Sequence, residues 1–192
     1  SGAAAMVGES TFNVSGGSGG AFVRPGVQTV NGSVVVEVKF MPHHVASTVF
    51  VTVSPSGGEA AASASAWRLA VNSTAVTLMQ KKAGAERWAQ LAVTMLPPRE
   101  VATVSSGVVL GKWNIARFVI VEELNHHVRV EGWLNPLAQA GAKGGPLRAL
   151  VTGQSVSVPP LLLPRKVRLA VSVEEEEDSV VLDVVGVFEP YH

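Results

Sequence analysis

The chain has 192 residues, 15 basic against 15 acidic, and no cysteine. Zero formal charge argues against the basic surface that displaces counterions from nucleic-acid phosphates, and the missing thiols exclude disulfides, thiolate metal sites and a cysteine nucleophile. The hydrophobic fraction of 47% is enough for one sizeable core, and no apolar run approaches the ~20 residues that span a bilayer.

Ser1-Gly2 reads as an expression remnant, residues 1–7 as a flexible N-terminus and residues 8–192 as a single domain. The glycines from Gly16 to Gly20 form a turn before a strand; no G-K-S/T follows, so they are not a phosphate loop. Valine-rich runs then recur between Gly, Pro and Ser clusters, over residues 34–40, 48–53, 67–80, 87–95, 113–122, 128–134, 156–158, 167–173 and 180–188. Several alternate with period two, which puts one face in a core and the other toward solvent. In 87–95 the apolar face is Ala89, Leu91, Val93 and Met95, opposite Trp88, Gln90, Ala92 and Thr94; in 167–173 it is Val167, Leu169, Val171 and Val173. Residues 57–66 and 138–145 are small-residue stretches without an apolar stripe at helical spacing, and read as loops. The acidic run Glu174, Glu175, Glu176, Glu177 and Asp178 reads as a solvated hairpin loop. Nine to twelve strands with little helix imply an all-β sandwich or barrel.

The order of local signatures resembles the concanavalin A-like jelly roll, particularly its laminin G-like branch. G-S-G-G-A-F-V-R-P at Gly17 to Pro25 resembles that family's opening strand, and S-V-V-V-E-V-K-F-M-P from Ser33 its long second strand. Trp67 to Val71 resembles the strand after the first long loop, and G-K-W-N-I-A-R-F from Gly111 a "G-x-W-H-x-V" segment whose tryptophan is packed in similar folds. V-R-V-E-G-W-L from Val128 resembles a hairpin with glycine at its turn, and L-D-V-V-G-V-F from Leu182 the closing strand. A similar lectin-like domain accompanies the trypanosomal trans-sialidases. The resemblance implies a two-sheet antiparallel jelly-roll sandwich whose concave face or loop rim is the usual ligand site.

Glycosidases on this fold carry two carboxylates on one strand face, ~5–5.5 Å apart when they retain configuration. Neither E-x-D-x-x-E nor E-x-D-x-E occurs: Glu37 is followed by Lys39, and Asp183 has Val181 and Val185 beside it. With only two aspartates, Asp178 and Asp183, the oxygen-rich ligand set of a calcium site is not expected. His43-His44 and His126-His127 would make a zinc site only if their two loops met, and they read as loop histidines. No metal or cofactor is therefore expected, and no catalytic residue.

The candidate ligand-binding residues are aromatic and polar side chains in otherwise apolar strands: Trp88 as a stacking platform, Trp133 at a hairpin edge, and Arg117, Arg129 and Glu131 on a sheet face. Trp113 is expected in the core. Three sequons, at Asn13, Asn31 and Asn72, exceed the roughly one that chance provides and favour an extracellular or secretory setting. The expected function is noncatalytic recognition of a glycan or protein surface by a module of a larger protein. The alternative is an interaction domain of a larger intracellular assembly, without a small ligand.

Overall fold

The computed structural model describes residues 12–14, 21–28, 33–56, 64–102, 107–122, 128–135, 152–156, 166–174 and 180–188. Twelve strands and one short 3-10 turn, Arg99–Val101, account for most of these. In chain order the strands are β1 (Phe12–Val14), β2 (Ala21–Gln28), β3 (Ser33–Met41), β4 (Thr48–Pro55), β5 (Ala66–Val71), β6 (Ala75–Lys81), β7 (Ala89–Met95), β8 (Asn114–Glu122), β9 (Val128–Leu134), β10 (Thr152–Val156), β11 (Lys166–Glu174) and β12 (Val180–Phe188).

They form two six-stranded sheets, ordered β1-β12-β3-β8-β9-β10 and β2-β11-β4-β5-β6-β7, and every pairing is antiparallel. The chain enters by alternating between sheets, meanders through β4 to β7 in the second and β8 to β10 in the first, then returns one strand to each. This is the two-sheet sandwich that the alternating runs imply.

Alternation decides which side chains meet. Val36, Val38 and Phe40 of β3 and Phe118 and Ile120 of β8 point inward from the first sheet, and Val49, Val51, Leu69, Leu78 and Leu169 from the second, all essentially without solvent exposure. Burying each such side chain contributes about 1.5–3 kcal/mol, so this one inter-sheet layer is the dominant stabilising element. The expected inward face of β11 is present, with Val167, Leu169, Val171 and Val173 all buried.

Gly132 is a close-approach position. A Cβ built there would lie 2.5 Å from Leu69 Cδ1 and 3.4 Å from Leu78 Cδ2. The glycine lets β9 of one sheet approach β5 and β6 of the other. It is in mid-strand, paired with Phe118, and not at a hairpin turn as the motif suggests.

Four further expectations are corrected. Residues 67–80 are two strands, because Asn72 turns the chain: its Oδ1 accepts from Thr74 N (2.9 Å), Thr74 Oγ1 (2.9 Å) and Ala75 N (2.8 Å). Trp113 is 36% exposed and sits under Lys39 Nζ, 4.7 Å from the ring centroid, whereas Trp67 is the buried tryptophan. In β7 a register shift opposite Leu78 and Met79 breaks the alternation, so Leu91 and Ala92 both pack against the core while Val93 and Met95 face solvent. The last predicted strand before β11 also lies earlier than residues 156–158, at Thr152–Val156. The acidic run beyond Glu174, the 138–145 stretch, Asn31 and His126-His127 lie outside the described residues.

A buried asparagine pair ties the loop before β8 to the end of β9. Asn114 Nδ2 donates to Val109 O (2.9 Å) and Lys112 O (2.8 Å), and its Oδ1 accepts from Val109 N (3.0 Å). Asn135, at φ 50, accepts from Ile115 N through Oδ1 (2.7 Å) and donates to Asn114 Oδ1 (3.3 Å). Asparagine tolerates the left-handed backbone there and supplies the partners that a buried loop needs.

Candidate functional site

The five candidate ligand residues do not converge. Arg117, Arg129, Glu131 and Trp133 share the outer face of the first sheet, whereas Trp88 lies against the outer face of the second. The reason is topological: β7 closes one meander and β8 opens the other.

On the first sheet the register aligns Glu37, Arg117 and Trp133 across β3, β8 and β9, with Glu131 and Arg129 further along β9. The charges satisfy one another. Arg117 donates to Glu37 Oε2 from Nε (2.8 Å) and Nη2 (2.7 Å), Arg129 Nη1 pairs with Glu131 Oε1, and Trp133 Nε1 donates to Glu131 Oε2 (3.1 Å). Each carboxylate is thus engaged by a neighbour on its own face. Such ladders hold strands in register and leave few polar groups aimed outward.

On the second sheet Phe50 and Thr52 of β4, Arg68 of β5 and Met79 of β6 occupy outward positions, with Thr52 opposite Arg68 and Arg68 opposite Met79. Arg68 lies between two rings, its guanidinium carbon 4.9 Å from the Phe50 centroid and 4.1 Å from that of Trp88, and its Nε donates to Thr52 Oγ1 (3.0 Å). The planar cation covers one indole face and fixes the orientation of the ring. The turn joining β6 to β7 carries Gly84 at φ 71, a conformation that glycine adopts without strain, and closes with Ala85 N donating to Lys82 O (3.0 Å).

Beside this stack is an open cleft of about 480 Å³. Trp88, Thr52, Ser54, Lys81 and Lys82 line it, and alanines with Gly84 make up most of the remaining wall. That size is within the range of small-molecule sites. A tryptophan, two hydroxyl-bearing residues and two lysines line the cleft, and no carboxylate is among the described residues of the lining. Sequence reasoning singled out Trp88 but missed Arg68, Lys81 and Lys82. Arg68 stands among the apolar residues of W-R-L-A-V, the same signal that drew attention to Arg117.

Among the described residues no group of three or more His, Cys, Asp or Glu side chains is placed to hold a metal ion. His43 and His44 are exposed in the loop after β3, where His44 Nδ1 accepts from Ala46 N (3.2 Å).

No family model and no curated relative matches the sequence. Solved structures do match. The potassium-bound carbohydrate recognition domain of Emp46p superposes with a TM-score of 0.59 at 8% identity, covering 91% of this chain and 79% of that one. The carbohydrate binding module CBM66 from Bacillus subtilis gives 0.50 at 10% identity, covering 97% and 95%. The kappa-carrageenase from Pseudoalteromonas carrageenovora, solved with an oligotetrasaccharide of kappa-carrageenan, gives 0.50 at 10% identity over 87% and 67%. At such identities the likeness is one of fold alone: the two-sheet antiparallel jelly-roll sandwich that the ordered sequence motifs imply.

Proposed function

We propose that this chain is a noncatalytic glycan-binding module whose site is the cleft beside Trp88. The observation that carries the reading is the Phe50–Arg68–Trp88 stack, which holds an indole at the wall of an open cleft. Sugar rings present C–H faces that pack on indole, and their hydroxyls pair with side chains such as Thr52 and Ser54. An indole already fixed by Arg68 loses little rotamer freedom when a ligand docks, so more of the contact energy appears as affinity. Carbohydrate recognition and binding modules and a carrageenase share the fold, so the fold does not separate binding from catalysis. The cleft supports the binding reading: hydrolysis needs two carboxylates across the scissile bond, and the described residues of its lining include none.

The test is a glycan array probed with the full chain, Trp88→Ala and Trp133→Ala. Losing one stacking indole removes on the order of tenfold in affinity, so Trp88→Ala should lose most of the signal and Trp133→Ala should retain it. The reverse pattern would place the site on the first sheet. A second reading, an interaction domain, draws on Val93 and Met95, 45% and 71% exposed on edge strand β7. A blank array together with a stoichiometric complex lost in a Val93→Lys, Met95→Lys variant would favour it.

A further inference from the structure

We infer that the glycan bound beside Trp88 is anionic, carrying a sulfate or carboxylate on a ring close to the indole; this rests on the glycan-binding reading above. The chain as a whole is balanced in charge, but the described lining of the cleft is not. Lys81 and Lys82 both line the cleft, and no aspartate or glutamate is among the described residues of its lining. Neither lysine has an ion pair among the described residues, unlike the arginines of the first sheet, which are matched to Glu37 and Glu131. Arg168 adds a further exposed cation on the same side of the sheet, opposite Ser54 in the β11–β4 pairing. Glu86 and Arg87, exposed in the same turn as Gly84, offset each other and do not line the cleft.

The shape of the wall agrees with the charge. Its described lining beside the lysines includes Ala64, Ala66, Ala83, Gly84 and Ala85, small residues that take up little of the ligand space. Two ammonium groups act as point charges with rotatable donors and suit an oxyanion of either geometry. Arg68 is committed to its two rings and Thr52 and serves as the positioner of Trp88. The division of labour is therefore a ring face on Trp88, neutral hydroxyls on Thr52 and Ser54, and the anionic substituent on Lys81 and Lys82.

The experiment is an array of matched oligosaccharide backbones in neutral, carboxylated and sulfated forms. It is probed with the full chain, Lys81→Gln with Lys82→Gln, Trp88→Ala, and Lys112→Gln as a control away from the cleft, after thermal melts confirm that all are folded. The acidic spots should bind, the double glutamine variant should lose on the order of tenfold in affinity, and rising sodium chloride should weaken the wild type more than that variant. The carboxylated and sulfated arms then identify which group is read. Equal binding to neutral spots, unaffected by the glutamines but lost in Trp88→Ala, overturns the anionic inference and leaves the glycan site standing. A blank array, or binding that survives Trp88→Ala, overturns both.

Discussion

Replacing Gly132 by alanine tests how closely the two sheets approach. The added Cβ would lie 2.5 Å from Leu69 Cδ1, and Leu78 Cδ2 and Val76 Cγ1 follow at 3.4 and 3.6 Å. Carbon atoms in contact prefer about 3.5–4.0 Å, so Leu69 must retreat by about 1 Å or more. The offending atom is the end of a flexible side chain, but Leu69 has no solvent exposure and is part of the hydrophobic core, so its movement disturbs core packing. Overpacking of this kind costs about 1–3 kcal/mol. Alanine returns about 0.5–1 kcal/mol, since glycine in a strand loses more conformational freedom on folding. Taking the middle of both ranges, the net expectation is a loss of about 1 kcal/mol, which in a chain of this size lowers the melting temperature by about 2–4 °C. Urea unfolding followed by the fluorescence of buried Trp67 measures it. The cause is isolated by Leu69→Ala, which alone should cost about 2–5 kcal/mol. In the double variant the new methyl meets space and not a clash, so the two losses should fall short of additive by about 1 kcal/mol. A Gly132→Ala protein as stable as the wild type, or losses that add within about 0.5 kcal/mol, would refute the close approach and restore the hairpin reading of this glycine.

Asn72→Ala should destabilise by about 1–2 kcal/mol, because three donors at the β5–β6 turn lose their acceptor, and Asn72→Asp should recover most of it in the same urea titration. Asn114→Ala should cost more, about 2–4 kcal/mol, since it strips partners from Val109 and Asn135 inside the protein; a loss below that range would mean water replaces them. For Arg117 and Glu37, whose side chains are 33% and 22% exposed, a double-mutant cycle should give a coupling of about 1 kcal/mol or less that shrinks in high salt; a larger, salt-insensitive value would give that ladder more than a registering role.

Where a strand has one fully buried face, its sequence declares it. β3, β4, β8 and β11 alternate because Val36, Val51, Phe118 and Leu169 must all reach the same inter-sheet layer, and a slip by one residue would turn the whole set outward. β7 is an edge strand with one neighbour in its sheet, and there the same alternation misleads: the register shift sends Leu91 and Ala92 inward together, leaving Val93 and Met95 in solvent. Nothing in the apolar spacing of A-Q-L-A-V-T-M distinguishes the two arrangements. Gly132 misleads for a related reason. E-G-W looks like a turn, and the atoms that demand glycine belong to Leu69 and Leu78, more than fifty residues earlier and in the other sheet.

The site follows the same logic. Trp88 was legible as an aromatic opposite an apolar face, and Arg117, Arg129, Glu131 and Trp133 as polar or aromatic side chains among valines. Their separation onto two sheets was not, because spacing along the chain does not say which sheet a strand joins. Once they are separated, electrostatics distinguishes the two faces. On the first, arginines and glutamates lie close enough in the register to neutralise one another. On the second, Arg68 is held between rings, and Lys81 and Lys82 come to the cleft wall without a carboxylate among the described residues of its lining. A face whose charges are already matched gains little from an ionic ligand, since binding must first break its own pairs. A face with unmatched cations beside a fixed indole has both attraction and shape left to offer, and that contrast is why we propose the site at Trp88 and not at Trp133.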